Sequence, residues 1–224
     1  MNPLGVFSST HAAIDGGRYR GGAVAVDGAL GDPAKLLAVA DAECFRPVEI
    51  QWRRIGGELF AVLLDGKGGT RIVSSTHGRL QVARLLPAAW LQQKVRALSD
   101  APMQDFVVRH VPDAYFYPRA PEAMNGAAER RFPVAVVDFG DAEATRVYLD
   151  LATGDPLLTM GHRERVGRWL FYFLHSWDLP AMLRQEGARL AVLLLLSAAG
   201  TALCATATVI GYRRLRMKLR RGRR

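Results

Sequence analysis

The sequence predicts an α+β fold with two small units, each a helix followed by an antiparallel sheet, then an interfacial helix and one C-terminal transmembrane helix. Short apolar runs that end in glycine-containing turns predict the sheets, and apolar residues at helical spacing predict the helices. The transmembrane prediction comes from residues 190–212, a run of 23 residues without a charge that is followed at once by a basic tail.

The first unit is predicted at residues 33–82, after an irregular lead-in at residues 1–32 that is rich in glycine, serine and alanine. Asp32 suits a helix N-cap and Pro33 suits the first helical turn, which predicts a helix as far as about Cys44. Alternating or apolar runs bounded by turn signals then predict a meander of three strands, at residues 48–52, 58–64 and 69–74. The glycine-rich stretch between the last two strands is interpreted as a hairpin turn and not as a phosphate-binding loop, because it lacks the required spacing.

The second unit is predicted at residues 83–160, with helices at residues 83–98 and 103–110 and a strand pair at residues 133–139 and 145–151. A weak internal repeat relates the two units. In each, a strand that begins with Thr-Arg leads to a glycine turn seven or eight residues beyond the arginine: Arg71 with Gly78, and Arg146 with Gly154.

The C-terminal part is predicted to meet a membrane. A helix over residues 190–212 rises about 34 Å, which is enough for a hydrocarbon core of about 30 Å. Residues 161–189 carry aromatic side chains near helical spacing and are predicted to lie in the interface as an amphipathic segment. The residues predicted at headgroup depth are Trp169, Tyr172, Trp177, Arg189, Tyr212, Arg213 and Arg214.

The net charge of +9 does not indicate a nucleic-acid-binding surface. Residues 213–224 contain eight of the 30 Lys and Arg residues and no acid, which leaves 22 basic and 21 acidic side chains in residues 1–212. A basic cluster directly after an apolar span is typical of a cytoplasmic tail next to anionic headgroups. The predicted partners are therefore the lipid bilayer and another membrane helix or protein, such as a second copy, and not nucleic acid.

The orientation of the chain leaves two alternatives open. The basic tail predicts a cytoplasmic C-terminus and an external main domain, yet the first residues lack the basic and apolar regions of a signal peptide. Either an upstream transmembrane helix exports the domain, which we favour, or the chain is a tail-anchored protein with a cytoplasmic domain. The two cysteines, Cys44 and Cys204, indicate neither a disulfide framework nor a zinc site.

Two stretches of the sequence resemble bacterial PepSY-domain membrane proteins. The first is Arg168-Trp169-Leu170-Phe171-Tyr172-Phe173-Leu174-His175-Ser176-Trp177-Asp178-Leu179-Pro180 with the apolar span that ends in Gly211-Tyr212-Arg213-Arg214-Leu215. The second comprises Asp113-Ala114-Tyr115-Phe116-Tyr117 and the "Asp-x-x-Thr-Gly" turn of Val147-Tyr148-Leu149-Asp150-Leu151-Ala152-Thr153-Gly154. The resemblance covers residues 110–216 and is weaker over residues 33–80.

The resemblance implies a periplasmic domain held at a bacterial inner membrane. PepSY units occur in propeptides of secreted peptidases, where they are proposed to inhibit or chaperone. Other membrane members accompany iron-siderophore uptake and are thought to reduce ferric siderophores with haem held by histidines on several helices. This chain departs from the latter pattern, because residues 190–212 contain no histidine.

The sequence contains no recognisable catalytic or metal-binding constellation. The five histidines do not form a His-Glu-x-x-His motif, and no nucleophile elbow surrounds a serine. The carboxylates Asp141, Glu143, Asp150 and Asp155 are interpreted as solvated turn residues. His175 is the candidate cofactor-binding residue, as an axial haem ligand that would need a second ligand from another helix; the favoured prediction is no cofactor.

Small side chains in the apolar span, at Ala198, Gly200, Ala202 and Thr206, are predicted to allow close packing against another helix. Taken together, the sequence predicts a non-enzymatic, membrane-anchored PepSY-type binding or regulatory module. The alternative is a subunit or fragment of a haem-dependent ferric-siderophore reductase.

Overall fold

The computed structural model describes residues 14–26, 28–119, 130–176 and 185–221. The chain divides into two compact units, Met1–Gly167 and Arg168–Arg224, each of which is described by itself. The predicted α+β class is confirmed, with two four-stranded antiparallel sheets followed by a long apolar helix.

The first sheet forms a meander with the strand order β1-β2-β3-β4. Its elements are α1 (Gly16–Arg20), a 3-10 turn (Gly28–Gly31), α2 (Pro33–Ala42), β1 (Glu49–Ile55), β2 (Glu58–Leu64), β3 (Thr70–Thr76) and β4 (Arg79–Ala83). Asp32 caps α2 as predicted, since its carboxylate accepts hydrogen bonds from the backbone N–H groups of Ala34 (3.0 Å) and Lys35 (3.4 Å). The expectation of an irregular lead-in is wrong at α1, where the carboxylate of Asp15 accepts from the N–H of Arg18 at 2.8 Å and caps the helix.

The second sheet repeats this meander with the order β5-β6-β7-β8. Its elements are α3 (Ala88–Lys94), a 3-10 turn (Val95–Leu98), β5 (Met103–Arg109), β6 (Val134–Phe139), β7 (Arg146–Asp150) and β8 (Pro156–Met160). The Thr-Arg repeat thus enters the third strand of each sheet. In both third strands the residue after the arginine, Ile72 or Val147, belongs to the same buried cluster.

Three sequence predictions are wrong in this region. The helix predicted at residues 103–110 is strand β5, in which Phe106 and Val108 face the core and the intervening Val107 is 40% exposed, the two-residue period of a strand. The helix predicted from residue 83 begins at Ala88, because Ala83 still pairs in β4 and Pro87 occupies the cap position. The sheets have four strands each, since β4 and β8 add a last strand that the predicted meander and strand pair lack.

One hydrophobic cluster joins the two sheets. Helix α3 and its 3-10 extension contribute Leu91, Val95 and Leu98, all 0% exposed, to this shared core. The first sheet contributes Ile55, Phe60 and Ile72, and the second contributes Ala135, Val137, Phe139, Val147 and Leu149. On the other face of the first sheet, α2 covers a separate cluster that includes Leu36, Leu63 and Val73. Helix α3 therefore packs on the first sheet as well as on the second sheet, which follows it in the chain.

Two helices follow the sheets. Helix α4 spans His162–Ser176, and helix α5 spans Glu186–Arg221 as one element of 36 residues. Within α5, the 29 residues Leu190–Lys218 are long and apolar enough to cross a membrane, and none of the most apolar window is buried within the structure. The helix predicted at residues 190–212 is confirmed, and it continues without a break into the basic segment.

Candidate functional site

Helix α5 presents the side chains of its apolar segment to the surroundings. Leu195 is 71% exposed, Leu203 73% and Tyr212 64%, and Arg213 and Arg214 are also exposed at the end of the span. The hydroxyls of Thr201, Thr206 and Thr208 each donate to the carbonyl four residues earlier, at 2.8 Å. Each of these hydroxyls therefore has a hydrogen-bond acceptor within its own helix, and a polar group in hydrocarbon needs such a partner.

The four small residues proposed for helix packing are all exposed on α5. An α-helix turns about 100° per residue, so Gly200 lies roughly 200° around the axis from Ala198, whereas Ala202 lies near Ala198. Thr206 is larger than alanine, and its hydroxyl is bonded to the carbonyl of Ala202. Packing through these positions stays a prediction, and the four residues do not share one narrow face.

The predicted interfacial residues are described only in part. Trp169 lies in α4 and is 56% exposed. For Tyr172 and His175 in α4, and for Arg189 in α5, the structure describes the backbone alone, and Trp177 lies outside the described residues. Haem binding by His175 therefore stays a prediction, which the absorption spectrum of the purified protein would test.

The motif Asp113-Ala114-Tyr115-Phe116-Tyr117 packs on the outer face of the second sheet. The carboxylate of Asp113 accepts hydrogen bonds from the N–H groups of Tyr115 (2.9 Å) and Phe116 (2.7 Å) and from the hydroxyl of Tyr148 (2.8 Å). The rings of Phe116 and Tyr148 stack with centroids 5.0 Å apart. Burial, followed by the nearby Asp113 carboxylate, raises the pKa of the Tyr148 phenol above its usual value of 10. Two segments of the resemblance thus meet in one buried structural contact.

The "Asp-x-x-Thr-Gly" turn, residues 150–154, lies where the two sheets meet. The N–H of Leu86 donates to the carbonyl of Leu151 at 2.8 Å, and the buried hydroxyl of Tyr19 donates to the carbonyl of Gly154 at 2.8 Å. A Cβ at Gly154 would overlap the Ile55 side chain. Next to the turn, Arg53 of β1 forms an ion pair with Asp155. The turn is therefore a joint between the two sheets, a role that only contacts distant in sequence reveal.

The carboxylates near this turn have structural partners. Asp141 accepts hydrogen bonds from the N–H and the hydroxyl of Thr145, both at 2.6 Å, and Asp138 holds Arg146 with two bonds of 2.7 and 2.8 Å. Burial raises the pKa of Asp150 above its usual value, although the N–H of Ala152 donates to it at 2.7 Å. Among the described residues, no three His, Cys, Asp or Glu side chains are grouped in a way that would hold a metal ion. The interpretation as turn residues agrees with this geometry for Asp141, whereas the expectation of a solvated carboxylate is wrong for Asp150, which is only 5% exposed and bonds within its own turn.

A groove of about 460 Å³ opens at one end of the first sheet. Pairing between β2 and β3 stops at Phe60 and Ser74 although both strands continue, and the groove is lined there by apolar Leu86 and Trp90 and by the hydroxyls of Ser75 and Thr76. Its acid, Glu58, already accepts from Lys94 (2.8 Å) and from the indole N–H of Trp90 (3.2 Å). No local pattern in the sequence predicts this groove, because its residues come from four separate segments.

Neither a protein-family model nor a curated protein is significantly similar to the chain. Among solved structures, the YpmB protein from Bacillus subtilis matches 57% of this chain and 95% of its own length, with 13% identity and a TM-score of 0.23. A similarity at this level carries no argument about what the present chain binds or does.

Proposed function

We propose that this protein is a membrane-anchored, non-catalytic PepSY-type module that binds or regulates a partner at the outer face of a bacterial inner membrane. The observation that carries the proposal is the exposed helix Leu190–Lys218, attached to a domain of two sheets. In water, so many exposed leucines on one helix would be an aggregation hazard, whereas a bilayer would cover them. The basic end of the helix favours the cytoplasmic side, and the domain then faces outward.

The contacts of the resemblance motifs support the non-catalytic part of the proposal. Asp113 and Tyr148 hold a loop on the second sheet, and Gly154 lies at the joint between the sheets. Residues with such internal contacts maintain the fold, and the exposed surface of the domain is left to bind partners. The function that fits is recognition by the domain rather than chemistry at these residues.

The two cysteines offer a direct test of the orientation. Cys44 is exposed on the domain and Cys204 is in the apolar helix. In spheroplasts that express the Cys204→Ala variant, we expect a membrane-impermeant maleimide to label Cys44 without permeabilisation. The matched control is Cys44→Ala, in which Cys204 is shielded by lipid and should stay unlabelled. Labelling of Cys44 only after permeabilisation would contradict the proposed location and favour the tail-anchored alternative.

A further inference from the structure

The two sheets have four edge strands, and three of these edges carry features that discourage pairing with another chain. Strand β5 has a register shift between Met103 and Asp105, and Asp105 is an exposed charge. Strand β8 begins with Pro156 and has an extra residue, Leu157, where its register with β7 shifts. On β1, the guanidinium of Arg54 donates to the carbonyl of Ala23 at 2.8 Å and ties the preceding segment to this edge. Bulges, prolines, charges and covering loops are the usual protections of an edge.

Among the described residues, strand β4 has no bulge and no proline, and its one charged side chain, Arg79, lies at its end. It pairs with β3 over its whole length in an unbroken register from Thr76–Arg79 to Ile72–Ala83, and it contains neither proline nor acid. The connecting turn is His77-Gly78, with φ values of 51° and 75°. In a two-residue hairpin of this kind the closing pair, Thr76 and Arg79, is hydrogen-bonded, and such pairs alternate along the ladder.

This alternation identifies the backbone groups that face outward. The N–H and C=O groups of Arg79, Gln81 and Ala83 point toward β3, so those of Leu80 and Val82 point away from the sheet. The side chains of Leu80 and Val82 are half-buried at the rim of the cluster that α2 covers. A strand added here would satisfy these backbone groups and, with apolar residues opposite Leu80 and Val82, would extend that cluster.

The charges around this edge indicate what kind of strand fits. From Arg71 to Arg84 the hairpin carries three arginines and no carboxylate, and Arg79 and Arg84 are exposed at the two ends of β4. Antiparallel pairing of two copies about Gln81 would place Arg79 of each copy opposite Ala83 of the other, so that the arginines of both copies gather at the two ends of the paired strands. Gathering like charges in this way is unfavourable, whereas a carboxylate at either end of the added strand would be attracted.

We infer that the edge of β4 binds an extended peptide segment that pairs antiparallel to it, with apolar residues opposite Leu80 and Val82 and acidic residues near Arg79 and Arg84. The inference rests on the proposed function, because it names the surface and the partner chemistry of the binding module. It requires no movement of the described sheet, since the outward groups of β4 are already in an extended, regular strand.

The probe is a fluorescein-labelled peptide of sequence SEVTVES. When its two valines lie opposite Leu80 and Val82, one glutamate lies opposite Arg79 and the other opposite Ala83, next to Arg84. Its controls are SKVTVKS, which reverses the charges, and SEPTPES, in which proline replaces the two residues that would donate to β4. Binding is measured by fluorescence anisotropy with the full chain in detergent micelles. We expect SKVTVKS to bind about tenfold more weakly than SEVTVES, and SEPTPES to show no saturable binding.

Three protein variants connect binding to the edge of β4. Val82→Pro removes an outward N–H that β3 does not use, so the fold should persist while SEVTVES binding is lost. Val82→Thr retains that N–H and is the matched control, with binding retained. The double variant Arg79→Glu/Arg84→Glu should reverse the preference and bind SKVTVKS more tightly than SEVTVES. Circular dichroism of each variant verifies the fold.

Reversal of the peptide preference together with loss of binding in Val82→Pro supports the inference. Equal binding of all three peptides, absence of any saturable binding, or binding that Val82→Pro leaves unchanged overturns it. A dimer in light scattering that Val82→Pro dissociates would also overturn it, in favour of a second copy at this edge. The maleimide experiment is independent of these results, so the location and the binding surface can fail separately.

Discussion

Gly154 shows how much one residue contributes to the joint between the two sheets. Its φ of 73° is in the left-handed region, and a Cβ there would overlap Ile55 and approach Leu86 at 3.1 Å. Gly78 has nearly the same backbone, with a φ of 75°, but a Cβ would meet nothing within 4 Å. A comparison of alanine substitutions at these two positions therefore separates the cost of backbone strain from the cost of overpacking.

We predict that Gly154→Ala lowers the free energy of unfolding by about 3 kcal/mol, because overpacking adds to backbone strain. For Gly78→Ala, strain alone should lower it by about 1 kcal/mol. Urea unfolding of the full chain in detergent, followed by tryptophan fluorescence, measures both. Equal losses in the two variants would show that packing against Ile55 contributes nothing.

For individual residues, the sequence predicts where turns occur better than it predicts which distant residues the turns contact. The two-residue turn at His77-Gly78 and the glycine turn ending at Gly154 are both visible as local patterns. That Tyr19 donates to Gly154, or that Arg53 pairs with Asp155, depends on residues more than 100 positions away in sequence. No local pattern encodes such contacts, so the joint was not predicted.

The elements differ in how clearly their sequences specify them. The long uncharged run predicts α5 because no soluble helix of the same length needs so many apolar residues on every side. The sequence predicts a helix where strand β5 lies, because the apolar residues of β5 are interrupted by a register shift and are too few to show a two-residue period. It does not predict strands β4 and β8, because each is only five residues long and lies at a sheet edge.

A charge placed in the middle of α5 tests its membrane role. Leu203 and Leu215 are both exposed on this helix, at 73% and 58%, but Leu215 lies within the basic segment. We predict that Leu203→Arg disfavours insertion by about 3 kcal/mol and reduces the fraction retained in membranes after carbonate extraction. Leu215→Arg is the control, and its retention should equal that of the unmodified protein. Equal retention of both variants would contradict the assignment of the span.

The whole domain depends on the cluster shared by α3 and both sheets. Leu91 of α3 is 0% exposed in this cluster, which also contains residues of β2 and β3 from the first sheet. The sequence predicts two units and their order, but it does not show that the second unit's helix also packs on the first unit's sheet. The first sheet packs on both of its faces, so both faces of its strands are apolar. The alternation of residues in such short strands does not show which face packs on α3.

We predict that Leu91→Ala lowers the free energy of unfolding by about 3 kcal/mol and affects both sheets. In hydrogen exchange followed by mass spectrometry, amides of β2 and β3 should lose protection together with those of β6 and β7. Leu36→Ala, in the cluster under α2, is the control and should first expose amides of the first sheet. Unchanged protection of β2 and β3 in Leu91→Ala would show that the two sheets unfold independently.

The contact of Ile55 with Gly154 also restricts how this protein can change by recombination. A crossover near residues 84–87 would join the first unit of one homologue to the second unit of another, and it would have to bring together an isoleucine-sized side chain and a glycine across the joint. A side chain larger than hydrogen at position 154 would require the residue at position 55 to move or to be smaller. The two halves repeat each other's topology, yet exchanging one half alone would disturb this contact.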